Sequence, residues 1–216
     1  MVANIMATES AVATAPAAPI DEGGQGVAGR VSASVPGELR RIPVPAHRYA
    51  PLKSHWMALY EPLTKELGLQ VRMNLKQRVV ELRTGDRTRD RTALQRGSEF
   101  VQAFLLGFAV DDAIALIRFD DLRIDSFEVQ DVRRLQGDHL ARAIGRIAGT
   151  GGRTKFAIEN ACRVRIVLAG AKIHILGGHM QVRLARDAIC SLILGTPPGK
   201  TYEKLRRVST RLKERF

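Results

Sequence analysis

Cysteine is scarce in this sequence, and long apolar runs are missing. Cys162 and Cys190 are its two cysteines, and neither lies in a CxxC pair or near a Cys/His cluster, which excludes zinc fingers and disulfide scaffolds. No run of ~18 apolar residues is present, and no basic segment followed by an apolar one opens the chain. We therefore expect neither a membrane span nor a secretory signal, and an intracellular protein.

Acidic residues are the minority among the charged side chains. The 216 residues include 22 Asp plus Glu against 34 Lys plus Arg, a net charge of +12. This balance favours a polyanionic partner, of which nucleic acid is the first candidate. The excess is uneven, because residues 137–216 hold 16 basic and 5 acidic residues while residues 41–136 hold 16 and 13. We expect the C-terminal third to make the anion contacts.

Aromatic residues are absent before Tyr49, and the N-terminal stretch is rich in Ala, Val, Gly, Ser and Pro. Such a segment offers little to bury, so we predict a disordered tail over residues 1–46. The remaining chain divides into a first unit over residues 47–125 and a second over residues 126–216. Each is long enough for a hydrophobic core.

The first unit has a mixed α/β pattern. Apolar residues at helical spacing predict a helix over residues 52–67, ending at Gly68, and short alternating runs predict strands over residues 69–73 and 78–82. Two further helices follow, with Leu94, Phe100, Val101, Phe104, Leu105 and Phe108 on one apolar face and then residues 110–117. Asp111 and Asp112 fit the first turn of the latter helix better than a catalytic carboxylate pair.

The second unit has the element order β-α-α-β-β-α. A strand at Phe127 and Val129 precedes a helix capped by Asp138, a glycine cluster and a second helix over residues 153–162. Two strands, over residues 164–168 and 172–176, then lead to a helix with Val182, Ala185, Ile189, Leu192 and Ile193 as its inward stripe.

The glycine cluster carries the strongest functional signal, a GxxG loop formed by Gly149, Thr150, Gly151 and Gly152 between two apolar-faced helices. Glycines there allow backbone angles closed to other residues and let a sugar-phosphate chain approach, while the next helix presents free N–H groups. In this context the loop predicts a KH module, which clamps single-stranded nucleic acid. The alternative is a tight corner between two helices.

Six basic side chains are predicted to border the same groove: Arg142, Arg146, Arg153, Lys155, Arg163 and Arg165. Arg163 and Arg165 alternate with Val164 and Ile166, so they point outward from the strand. The four loop residues and these six form the predicted RNA-binding site, and the alternative for each basic residue is a solvated surface position. No aromatic residue lies in the loop, so we expect bases to be read by groove shape and hydrogen bonds.

Two features resemble catalytic motifs without meeting their requirements. Residues 195–201, GTPPGKT, are one residue short of a Walker A loop and follow a helix instead of a strand. The five histidines are scattered without ligand spacing. We therefore expect no enzyme, no metal and no cofactor.

A basic amphipathic helix is predicted after Pro198, with Tyr202, Leu205, Val208, Leu212 and Phe216 along one face. We expect this face to pack against the KH sheet or the first unit. The alternative is a docking helix for a protein partner.

Three long segments, residues 51–84, 137–178 and 191–216, resemble the partner-of-NOB family of KH proteins in small-ribosomal-subunit assembly. The resemblance implies an α+β fold of two tandem KH-like units: a degenerate first unit without GxxG, and a second, type I unit that binds RNA and is followed by a C-terminal helix. It also implies a non-enzymatic factor that binds the 3′ region of precursor small-subunit rRNA.

The same resemblance implies partners and a location: the NOB endonuclease, which the factor positions or restrains, the rRNA dimethyladenosine transferase and the precursor small ribosomal subunit. It implies residence in the nucleolus and nucleus, with cytoplasmic passage on the precursor. One departure is notable, since family loops usually carry Lys and often Asp where this chain has Thr150 and Gly151. The loss of a Lys removes one phosphate contact, so we expect weaker binding. The alternative function is a protein-protein scaffold with a vestigial GxxG loop.

Overall fold

The computed structural model describes residues 37–214 except residue 89, with side chains up to residue 211. The strands of the described part are β1 (Leu39–Pro43), β2 (Leu69–Asn74), β3 (Val79–Thr84), β4 (Leu122–Glu128), β5 (Arg165–Ala169) and β6 (Lys172–Gly178). The helices are α1 (Tyr49–Ser54), α2 (Trp56–Lys65), α3 (Ala93–Leu106), α4 (Val110–Arg118), α5 (Val129–Val132), α6 (Gly137–Ala148), α7 (Arg153–Cys162), α8 (His179–Ile193) and α9 (Pro198–Glu214).

The first sheet has the strand order β1-β3-β2, and both pairings are antiparallel. Strand β1 lies inside the predicted tail of residues 1–46, so the prediction is wrong for this segment. Ile42 is the buried residue of β1 and lies opposite Val80 of β3. Residues 1–36, the rest of the predicted tail, lie outside the described residues.

The helix predicted over residues 52–67 is two helices in the structure. The first, α1, ends at Ser54. His55 has non-helical backbone angles (φ −103°, ψ 15°) and separates α1 from α2, which begins at Trp56. Leu52 and Leu63, one from each helix, are buried in the same core as Leu82 and Phe100. The break therefore turns two amphipathic segments toward one core.

The second sheet has the order β4-β6-β5 and is again antiparallel. The predicted order of elements is confirmed, with the short α5 inserted after β4. Two details differ: Val129 begins α5 instead of ending a strand, and α6 has Gln136 at its N-cap, which places Asp138 in the first turn. Strand β4 begins at Leu122, so the predicted boundary at residue 125 falls inside it.

The two units pack against each other through the second sheet. Leu176 of β6 is buried in the core of the first unit, and Ile124 and Val167 pack against that core. Neighbours of Val167 in β5, such as Ile166, instead face the core of the second unit. Alternate residues of β5 therefore contact different units, as the two-residue period of a strand requires.

Helix α9 packs on α7 and α8, with Thr201 and Leu205 buried. It therefore covers the helical layer of the second unit. The prediction that its apolar face packs against the KH sheet or the first unit is wrong, because that face packs on α7 and α8 instead. Leu212 and Phe216, the end of its predicted stripe, lie outside the described side chains. No helix in residues 37–214 combines the length and apolarity needed to cross a bilayer.

Candidate nucleic-acid interface

The GxxG loop joins α6 to α7 through three glycines with positive φ. Gly149 (φ 72°, ψ 171°) ends α6, Gly151 has φ 61° and ψ 23°, and Gly152 (φ 83°, ψ 6°) precedes α7. The amide of Gly149 donates to the carbonyl of Gly145 at 2.8 Å, so the helix is closed before the chain turns. Because L side chains rarely adopt these angles, the sharp turn depends on glycine.

The glycines of this region differ in what a side chain at each position would meet. A Cβ at Gly149 would lie 2.3 Å from Oγ1 and 2.7 Å from the backbone nitrogen of Thr154, so this glycine allows a close approach within the protein. A Cβ at Gly145 or Gly151 would meet no heavy atom within 4 Å. These two positions therefore leave open space, in which an external backbone can approach the loop.

The loop also leads directly into the N-terminus of α7. The first N–H groups of a helix have no carbonyl partner within the helix and carry a partial positive charge, which suits a phosphate. Thr150 and Gly151, the two middle residues, are exposed. The amides of Gly152 and Arg153 already donate to the carbonyls of Gly149 and Thr150, so what the loop presents is the positive end of α7 without a bulky side chain in front of it.

Two arginines near the loop have free guanidinium groups. Arg146 in the last turn of α6 and Arg153 at the start of α7 are exposed, and neither forms a hydrogen bond or ion pair with any residue that the structure describes. Arg142, one turn before Arg146, is also exposed and donates to the carbonyl of Asp138 at 3.3 Å. These three positive charges are available to an anion.

Lys155 lies at the junction of α7 with β5. Its Nζ is 3.8 Å from Oε1 of Glu159, a buried carboxylate that also accepts a 2.8 Å hydrogen bond from the backbone N–H of Ile166. Glu159 therefore ties α7 to the beginning of β5 and places a cation beside the same junction. The sequence analysis did not identify this structural role of Glu159.

The structure does not bring all six predicted basic residues to one place. Arg163 (φ 56°) follows the last residue of α7, about 15 Å along the helix from the loop. Arg165 is on the strand face that contacts the first unit, where its Nε donates to Oδ1 of Asp112 at 2.8 Å. This hydrogen bond, helped by the charge of Asp112, raises the pKa of the Arg165 guanidinium. RNA contact by any of the six remains a prediction.

Phe156, one turn into α7, is a residue that sequence reasoning missed. Its side chain is 54% exposed, and its ring lies close to Gly152. The signal that could have found it is an aromatic residue off the apolar face of α7, whose buried apolar residues are Ile158 and Cys162. Although the loop itself has no aromatic residue, an aromatic ring lies beside it.

The corresponding helix turn of the first unit has no GxxG. His55 occupies the turn between α1 and α2, where its Nδ1 lies 2.9 Å from Oγ of Ser54 and its ring centroid lies 6.0 Å from that of Phe104. Side chains thus fill the turn that glycines leave open in the second unit. The first unit retains the KH arrangement of its chain without the clamp.

Comparisons with known proteins identify both units. A model of the eukaryotic type (type I) KH domain, that of the second KH domain of PNO1, matches residues 126–210. A model of the Krr1 KH1 domain matches residues 41–119. The tandem KH prediction is therefore confirmed, with a first unit that begins earlier than residue 47.

Curated relatives are similar along most of the chain. The pre-rRNA-processing protein pno1 of Schizosaccharomyces pombe is 63% identical over 179 residues, which cover 83% of this chain and 74% of that protein. The chain belongs to the PNO1 family. Another PNO1 protein, from Debaryomyces hansenii, is 58% identical over 200 residues, covering 91% of this chain and 78% of its own. A relative from Ixodes scapularis carries the name RNA-binding protein pno1 and is 57% identical over 180 residues, 83% of this chain and 77% of its own.

Solved structures share the fold of this PNO1-family chain. Dim2p from Pyrococcus horikoshii OT3 superposes with a TM-score of 0.69 at 24% identity, covering 79% of this chain and 99% of that one. A crystal structure of the a/eIF2alpha-aDim2p-rRNA complex from the same organism gives a TM-score of 0.71 at 23% identity, with coverage of 81% and 96%. At these identities the likeness shows the fold alone.

Proposed function

We propose that this PNO1-family chain is a non-enzymatic RNA-binding assembly factor of the small ribosomal subunit. It binds the 3′ region of precursor small-subunit rRNA, and the GxxG loop of its second KH unit clamps the sugar-phosphate backbone. The observation that carries the proposal is the GxxG loop, which leaves open space at Gly145 and Gly151 and is flanked in the sequence by Arg146 and Arg153, two exposed arginines without an ion pair among the described residues. A polyanion that lies along this surface meets exposed arginines and the positive end of α7 together.

The comparisons support the biological setting of this proposal. Relatives more than half identical to the chain are named pre-rRNA-processing or RNA-binding proteins. Since identity of this extent covers both KH units, we assign the same process to this chain. From the family resemblance we assign the chain to the nucleolus and nucleus, with cytoplasmic passage on the precursor small subunit.

The partners follow from the family resemblance. The factor holds the 3′ region of the rRNA in a defined geometry and thereby positions or restrains the NOB endonuclease, and it acts alongside the rRNA dimethyladenosine transferase. Cleavage and methylation belong to these partners.

The test is fluorescence anisotropy with a labelled single-stranded RNA from the 3′ end of small-subunit rRNA. Thr150→Asp combined with Gly151→Asp places two carboxylates in the clamp, so we expect affinity to fall about tenfold or more at fixed salt. Gln77→Glu combined with Gln102→Glu adds the same charge on exposed positions of the first unit and should change affinity little. Circular dichroism checks that both variants are folded.

A gain-of-function variant tests the same site in the opposite direction. Thr150→Lys restores the cation that family loops usually carry, so affinity should rise and the slope of log affinity against log salt should steepen by about one unit. An unchanged affinity in both loop variants, with the fold intact, would refute the clamp.

The alternative function is a protein-protein scaffold with a vestigial GxxG loop, and one feature of the surface favours it. Phe119 (61% exposed) and Met180 (54% exposed) line an apolar depression together with Leu184 and Leu205. Exposed apolar patches of this kind mark sites of protein association. If the loop variants bind RNA as the wild type does, the scaffold becomes the leading function.

A further inference from the structure

Phe156 is an exposed aromatic residue that the core of the protein does not use. Its side chain is 54% exposed, and it belongs to neither of the two hydrophobic core clusters, whereas Ile158 in the same helix is fully buried. A single exposed apolar residue is common on protein surfaces and needs no explanation by itself. The surroundings of Phe156 are what make it informative.

The ring of Phe156 lies against the last glycine of the GxxG loop. A Cβ at Gly152 would be 3.0 Å from Cε2 and 3.3 Å from Cδ2 of the ring, so a side chain at position 152 would displace it. Side chains of a helix point toward its N-terminus, which explains why the ring reaches back over the first turn of α7. The absence of a side chain at Gly152, the last residue of the GxxG loop, therefore leaves room for the ring beside the loop.

The ring also lies on the side of α7 that faces β5. Residues three apart are neighbours on a helix surface, and Glu159, three residues after Phe156, bonds to the N–H of Ile166 at the start of β5. The side of α7 that packs on α9 is separate, since Ala161 there lies near Leu205. Phe156 thus occupies the rim between the groove and solvent.

Charge around the ring suits a nucleotide. Nζ of Lys155 lies over one face of the ring, 5.5 Å from its centroid, and Arg153 is exposed one turn earlier. Since about half of the side chain is exposed beside this cation, part of the ring is available to a planar partner, and phosphates can bind next to it. An aromatic face flanked by phosphate-binding groups is the arrangement on which single-stranded bases stack.

We propose that Phe156 is a stacking platform for one base of the RNA held by the GxxG loop. The inference rests on the proposed function and adds to it a specific contact, in which the loop binds the backbone and the adjacent ring receives the base. Stacking tolerates any base because each has a π face, so this contact should contribute affinity with little sequence preference.

The experiment compares wild type, Phe156→Ala, Phe156→Trp and Phe119→Ala by fluorescence anisotropy. Phe119→Ala is the matched control, because the Phe119 side chain is similarly exposed. It lines the apolar depression with Met180 and Leu205, which includes no residue of the GxxG loop. Each protein is titrated with the same single-stranded RNA and with a series in which one nucleotide at a time lacks its base. Circular dichroism and thermal melting confirm that each variant is folded.

We expect Phe156→Ala to weaken binding about tenfold, with an unchanged salt slope because no charge is lost. In the wild type and in Phe119→Ala, removal of the base at one position of the RNA should weaken binding about tenfold as well. The affinity of Phe156→Ala should not change when that base is removed. Phe156→Trp should keep its affinity, and the added indole fluorescence should be quenched by intact RNA but not by RNA abasic at that position.

Additive effects of Phe156→Ala and every abasic position, or an unchanged affinity in Phe156→Ala, would overturn the stacking role. If the two-carboxylate loop variant still loses RNA in that case, the proposed function stands without this contact. A wild type that does not bind the RNA at all would overturn both. If Phe156→Ala does not fold, the fluorescence of Phe156→Trp tests the stacking role instead. Equal quenching by intact RNA and by every abasic RNA would then overturn it.

Discussion

Substitution of two glycines in the same loop by alanine should have very different costs. Gly151 adopts the left-handed helical region (φ 61°, ψ 23°) with no atom near its absent Cβ, so alanine there costs only about 1 kcal/mol of conformational strain. Gly149 (ψ 171°) lies in a region open essentially to glycine alone, where strain costs about 1–3 kcal/mol. Its Cβ would also lie 2.7 Å from the backbone nitrogen of Thr154, which cannot move without the start of α7.

Overpacking of this kind typically adds about 1–3 kcal/mol, so Gly149→Ala should lose about 4 kcal/mol against about 1 kcal/mol for Gly151→Ala. Urea unfolding followed by circular dichroism measures both, and a loss of this size is a large share of the stability of an ordinary domain. Equal losses would refute the reasoning, because the difference depends on the backbone conformation of Gly149 and on its close approach to Thr154.

RNA affinity of Gly151→Ala then separates folding from function. The new methyl group would occupy the open space that we assign to the sugar-phosphate backbone, so affinity should fall although stability changes little. Affinity equal to that of the wild type would show that the backbone does not pass over Gly151. The variant thus tests the position of the ligand without adding any charge.

Three further predictions concern the contacts that support the site. Glu159→Ala leaves the N–H of Ile166 unpaired and should cost about 2 kcal/mol in urea unfolding, while Glu159→Gln keeps an acceptor and should cost less. Asp112→Ala and Arg165→Ala should show a coupling below about 1 kcal/mol in a double-mutant cycle, because the pair is partly exposed. Burial raises the pKa of Cys162 from 9.0 to about 11, so stability present below pH 9 should be lost as pH rises toward 11, and less so in Cys162→Ala.

Local patterns were enough to predict the second unit. The apolar stripes of α6, α7 and α8 have helical spacing, and the glycines between α6 and α7 disfavour a continuous helix and permit the positive φ angles of a turn. The type of each element therefore follows from neighbouring residues. The confirmed order β-α-α-β-β-α and the position of the GxxG loop were determined by these local signals.

Elements with weak local signals were predicted less well. Strand β1 buries only Ile42, so its sequence shows no alternation, and it is a strand because it pairs with β3 about 40 residues later. The break at His55 was missed for a similar reason, since no glycine or proline marks it. In both cases a distant core selects the conformation.

The amino-acid pattern alone established that the chain is basic, that it contains a GxxG loop typical of KH domains and that residues 137–216 carry most of the excess positive charge. Which cations share a surface depends on tertiary packing. The alternation along β5 predicts that the Arg165 side chain points away from that of Ile166, but it does not predict that Asp112 of the first unit lies beside Arg165. The same holds for Phe156, whose position beside Gly152 depends on the turn between two helices. Backbone preference acts between neighbours in the chain, whereas a binding surface is made by residues that only the packing of distant segments brings together.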